Sequence, residues 1–133
     1  MKRLKSEPIR GIRMRRYILA NLEMIILKLL QLRQKLCGYE ILREIYDHFG
    51  IWLSTGTLYP VLNKLELKGS IKATGKTTKG EAKFYQITSN GMVHLSSLIS
   101  ENNLYLKLLK KILSEKSMMM GEFSKRVGKQ AGS

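Results

Sequence analysis

A chain of 133 residues, 44% of them hydrophobic, holds enough material for one domain around one core. Lys and Arg number 24 against 10 Asp and Glu, a formal charge of +14, which favours a polyanionic partner: DNA, RNA or an anionic membrane surface. The one cysteine, Cys37, excludes an internal disulfide and a thiolate metal cluster and fits a cytoplasmic protein.

Residues 1–20 read as a basic N-terminal arm carrying Lys2, Arg3, Lys5, Arg10, Arg13, Arg15 and Arg16, and Pro8 and Gly11 argue against one continuous helix through it. Such an arm is either a solvated tail or a DNA contact, which needs only charge and reach. The apolar stretch from Tyr17 to Leu32 is interrupted by Asn21, Glu23 and Lys28, so neither export nor a membrane span is expected.

A first helix is predicted from about Asn21, a capping residue, to Gln34. Leu22, Ile25, Ile26, Leu29 and Leu30 have helical spacing, and Met24, Leu27 and Leu32 widen the apolar face. A helix apolar on more than one side is central to the core or is covered by a partner subunit. Gly38 breaks the chain; a shorter helix, Glu40 to Phe49, turns Ile41, Leu42, Ile45 and Phe49 inward and ends at Gly50.

The third helix starts among the hydroxyls of Ser54 to Thr57, runs to Lys68 and stops at Gly69; Pro60 is tolerable only near its start. Leu58, Leu62 and Leu65 form a core stripe flanked by Val61, while Tyr59, Pro60, Asn63 and Lys64 spread over the other side with Thr57 at its edge. That outer face suits a major groove, although most polar helix faces are simply wet. Two strands follow, Ile71 to Thr74 and Lys83 to Thr88, and Lys72, Lys76, Lys79 and Lys83 lie on or beside their hairpin. A basic hairpin directly after a helix-turn-helix is the wing of a winged helix.

The last helix, residues 89–116, carries Met92, Leu95, Ile99, Asn102, Leu106, Leu109 and Leu113 as an a/d seam, with Leu98, Tyr105 and Ile112 as a second stripe. A partner subunit is the economical cover, with Asn102 setting register; the alternative is a helix folded back on its own domain. Residues 117–133, with the Met118–Met120 run, read as a flexible tail. The expected architecture is mainly α (α+β): an arm (1–20), a winged helix-turn-helix (21–88), a C-terminal dimerisation helix (89–116) and the tail.

Leu36-Cys-Gly-Tyr-Glu-Ile41, Ser54-Thr-Gly-Thr-Leu-Tyr-Pro-Val-Leu-Asn-Lys-Leu-Glu66 with Gly69 and Ile71, and Lys83-Phe-Tyr-Gln-Ile-Thr88 before Gly91 together resemble the PadR family of winged-helix regulators, over about residues 22–113. The length resembles its shorter subfamily. The resemblance implies a repressor that binds a palindromic operator in double-stranded DNA as a homodimer. It further implies a last helix packed across the dimer, partly on the partner's first helix, and, as in many members, release by a small hydrophobic effector. The chain departs from the family pattern at Cys37, usually His, at Ser70, usually apolar, in Lys rather than Arg on the wing, and in a last helix without Trp.

Ser54, Thr55, Thr57, Tyr59, Asn63 and Lys64 are the expected DNA-facing residues, with hydroxyls and helix amides on phosphates and with Asn63 and Lys64 reading bases. Tyr39 is either a phosphate contact or a packed tyrosine. Lys76 and Lys79 should meet backbone or minor groove, and Lys83, Arg13, Arg15 and Arg16 are further candidates. Tyr17 and Tyr105 are candidates for an effector pocket by position alone.

Cys37 reads as an inert structural thiol, since a redox switch needs an exposed, low-pKa thiolate. His48 and His94 are isolated, so no metal is expected. Gly75-Lys-Thr lacks the earlier glycine of a phosphate loop, no nucleophile elbow is present, and neither catalysis nor a cofactor is expected. Two alternatives to an operator-specific regulator stand: a low-specificity architectural or copy-control DNA binder, and a winged helix used as a protein-interaction module.

Overall fold

The computed structural model describes residues 8–74 and 83–116. Its elements run α1 (Pro8–Ala20), α2 (Leu22–Arg33), β1 (Leu36–Cys37), α3 (Gly38–Phe49), α4 (Thr55–Leu67), β2 (Ile71–Thr74), β3 (Phe84–Ile87) and α5 (Ser89–Leu113). The third expected helix is therefore α4. The chain divides into two units at Ser100/Glu101.

The first unit is built around α2. Leu22, Ile26, Leu27, Leu29 and Leu30 are buried, which accounts for its wide apolar face. Ile41, Leu42 and Ile45 of α3, Leu58, Leu62 and Leu65 of α4, and Tyr85 of β3 complete the same core. The sheet order is β1-β3-β2, antiparallel throughout, with Leu36 opposite Tyr85 and Ile71 opposite Ile87. The two-residue β1 escapes sequence reading because it is too short to show alternation.

Several expectations are corrected. Residues 8–20 are helix, not a non-helical arm. Pro8 occupies the first helical position, where a missing N–H costs nothing. Gly11 costs about 1 kcal/mol relative to Ala, but burying Ile18, 1% exposed, returns about 1.5–3 kcal/mol. Met14 packs on the same core. Asn21 does not cap α2; its Nδ2 donates to the Tyr17 carbonyl at 2.9 Å and closes α1 instead. Pro60 lies in the sixth position of α4, deeper than expected.

Caps elsewhere fit their residue types. Gly50 ends α3 at φ 72°, donating to the Tyr46 carbonyl. Glu40 accepts from the Cys37 N–H at 3.0 Å at the head of α3. Thr88 caps α5, its Oγ1 accepting from Gly91 N at 3.0 Å. Gly91 has no room for a Cβ because the Ser70 carbonyl and Ile87 lie against it. Ser70 itself is buried where the chain turns into β2.

The expected seam on α5 divides. Leu95 is 2% exposed in its own core and Leu98 packs against it, so Leu95 has no face left for a partner. Met92 is partly exposed, with Gln31 Nε2 3.5 Å from its sulfur. Within the second unit, Asn102 and Leu109 are half-buried, while Leu104, Tyr105, Leu106, Leu108, Ile112 and Leu113 are exposed.

Candidate nucleic-acid interface

The outer face of α4 is positioned by its inner one. With Leu58, Leu62 and Leu65 fully buried, the 100° helical step turns Thr55, Gly56, Pro60, Asn63 and Leu67 outward, and all are exposed. Ser54 caps the helix in extended backbone, its Oγ accepting from Thr57 N at 3.2 Å. The same Oγ lies 3.0 Å from Thr57 Oγ1, so these two hydroxyls are engaged with each other at the helix start. Asn63 is exposed on the middle of the face.

Two expected contacts are partly occupied within the protein. Tyr59 is 39% exposed, and its ring lies against Gly38 at the head of α3. Lys64 Nζ is 3.2 Å from Glu23 Oε1 in α2. Lys68 Nζ reaches the same oxygen at 3.6 Å, and His94 Nε2 lies 3.4 Å from Oε2. Burial pushes the Glu23 carboxyl up, but the adjacent Lys64 and Lys68 ammonium groups, with His94, together hold it below its ordinary value.

Lys83 is likewise engaged. Its Nζ is 3.1 Å from Glu66 Oε1 on α4 and 5.3 Å from the centre of the Tyr85 ring. The Glu66 hydrogen bond raises its pKa, and burial raises that of the Tyr85 phenol. Lys76 and Lys79, the expected wing-tip contacts, lie outside the described residues. Arg13 and Arg16 are exposed on α1 and Arg15 is half-buried there.

Tyr39 is exposed, not a core tyrosine, and meets Trp52 edge-on at 6.1 Å; Trp52 meets Tyr46 at 5.3 Å. This aromatic group, just before the Ser54 cap, escapes sequence reading because its members come from separate segments. Cys37 is buried, and among the described residues no cluster of His, Cys, Asp or Glu could hold a metal. Nor is any helix among them long and apolar enough to cross a membrane. A groove of about 390 Å³ lies between α2 and α3, floored by Met24, Ile25, Leu29, Ile45 and Phe49, with Ile99 of α5 at its side.

A family model described as the transcriptional regulator PadR-like family matches residues 26–97. The transcriptional activator GvpE of Haloferax mediterranei is 42% identical over 57 residues, 43% of this chain and 30% of that one. The chain thus spans under a third of the activator's length. An uncharacterized protein X of Lysinibacillus sphaericus is 38% identical over 102 residues, 74% of this chain and 84% of its own. A crystal structure of a PadR family transcriptional regulator from Eggerthella lenta superposes with TM-score 0.64 at 26% identity, covering 73% of this chain and 85% of the other.

Proposed function

The chain belongs to the PadR-like family of transcriptional regulators, and from that premise we propose that it represses transcription as a homodimer on a two-fold operator in double-stranded DNA. The observation that carries this is α4. Its inner face is consumed by the core, its outer face is exposed at Thr55, Gly56, Pro60, Asn63 and Leu67, and the β2–β3 pair follows directly. Inserted in the major groove, α4 presents Asn63 to base edges and the amides and hydroxyls of its first turn to phosphates. Lys76 and Lys79 extend the contact to backbone or minor groove, with Arg13, Arg15, Arg16 and Tyr39 as further phosphate contacts. The charge of +14 favours the same polyanion.

Dimerisation is assigned to the exposed stripe of α5 beyond Ser100, where Leu106 and Leu113 of the seam lie beside Tyr105 and Ile112. The apolar groove beside α2 supports a small hydrophobic effector, because its volume and lining suit one. The protein would act in the cytoplasm, without metal or cofactor.

Selection of bound duplexes from a random pool, followed by affinity at two salt concentrations, tests the proposal. The expected result is a palindrome with half-sites roughly 34–36 Å apart. Binding without enrichment, fading steeply with salt, would replace it by an architectural role. No binding at low salt would leave a protein-interaction module. The likeness to an activator favours one second reading, that the operator-bound chain activates; a reporter carrying the selected site decides the sign.

A further inference from the structure

The proposed function makes no use of the ion cluster on Glu23. This carboxylate stands in the first turn of α2, and cationic or protonatable groups from two other helices converge on it. Lys64 on α4 and Lys68 at its C-cap, one turn apart, lie 3.2 and 3.6 Å from Oε1, and His94 of α5 lies 3.4 Å from Oε2. The two ends of these pairs differ. The Glu23 side chain is 24% exposed, whereas those of Lys64 and Lys68 are 60% and 45% exposed. The acid is fixed; the ammonium groups ride on flexible stems and can exchange one anion for another. Ion pairs with such exposed lysines are individually weak, so they restrain the lysines without locking them.

We infer that Glu23 is a positioning residue for DNA binding: an internal counter-charge that competes with DNA phosphates for Lys64 and Lys68. The inference rests on the proposed DNA-binding function. Non-specific affinity comes almost entirely from phosphate neutralisation and counterion release. Each lysine kept on Glu23 is one fewer cation on random duplex. On an operator the base contact of Asn63 remains, so the ratio of specific to non-specific affinity is what Glu23 raises.

The test is Glu23→Gln in the full chain, titrated with random duplex between about 50 and 200 mM salt. Releasing one or two lysines should steepen the plot of log affinity against log salt by about 1–2 and raise affinity at the low-salt end by roughly 3- to 10-fold. The ratio of operator to random affinity should fall. In a Lys64→Ala/Lys68→Ala background the same substitution should change nothing. With Glu23 in place, that double substitution should move the random-duplex slope by less than about 1. Misfolding lowers binding and cannot imitate the gain. An unchanged slope in Glu23→Gln, or a gain that persists without both lysines, would overturn the inference while leaving DNA binding intact. A native chain that binds no duplex would overturn both.

Discussion

The phenol of Tyr59 on α4 fills the space that a side chain at Gly38 of α3 would need: a Cβ there would sit 2.5 Å from the hydroxyl oxygen and 2.9 Å from Cζ. The two glycine- and tyrosine-centred motifs therefore meet in space, where α4 lies beside the head of α3. Gly38→Ala should push the Tyr59 phenol aside and cost at most about 1 kcal/mol, because the contact falls on the far end of a side chain that is 39% exposed. In a Tyr59→Ala background that cost should shrink towards zero. Denaturant unfolding of the four variants, read as a double-mutant cycle, measures the coupling.

Leu95 and Leu106 belong to one expected seam yet should answer to different assays. Leu95 is buried in its own core, so Leu95→Ala should cost about 2–5 kcal/mol of stability. Leu106 is 41% exposed, so Leu106→Asp should leave the fold intact and abolish the proposed dimer. Unfolding curves and sedimentation velocity on both variants separate the two outcomes. A Leu106→Asp protein that remains dimeric would remove α5 beyond Ser100 from the interface.

Base reading and phosphate contact should separate along α4 and the wing. Asn63→Ala should weaken a selected operator by about 1–3 kcal/mol and random duplex far less. Lys79→Ala should weaken both alike and reduce the salt slope by about 1. Lys83→Ala should leave the slope nearly unchanged, because Lys83 is held on Glu66. Equilibrium titrations at several salt concentrations give all three values.

Glu23 should also leave a signature in stability against pH. Its carboxyl is held below the ordinary value of 4.5, so the folded state binds the proton more weakly than the unfolded chain. The stabilisation is complete above about pH 4.5 and is lost as pH falls through the folded-state pKa. Glu23→Gln should flatten that part of the profile. Thermal melts of both proteins across the acid range test it; identical acid limbs would show that the Lys64, Lys68 and His94 pairings contribute nothing.

Most of the fold was legible in the sequence because the signals are local. The helical spacing of Leu58, Leu62 and Leu65 fixes which face of α4 is buried, the hydroxyl of Ser54 its start, and Gly50 the end of α3. The boundaries of β2 needed no more than its residue types. Pro8 and Gly11 misled because residue preference argues against helix there, whereas the burial of Ile18 and Met14, a tertiary gain, outweighs it. Legible too was the outward face that carries Asn63. Which of its neighbours are already engaged was not. Tyr59 leans on Gly38, Lys64 is drawn to Glu23 and Lys83 to Glu66, and each partner is at least seventeen residues away in sequence. Periodicity and capping are decided within a turn or two of chain. The allocation of Leu95 to its own core and the pairing of surface charges are decided by which elements meet in space, and only the folded structure settles that.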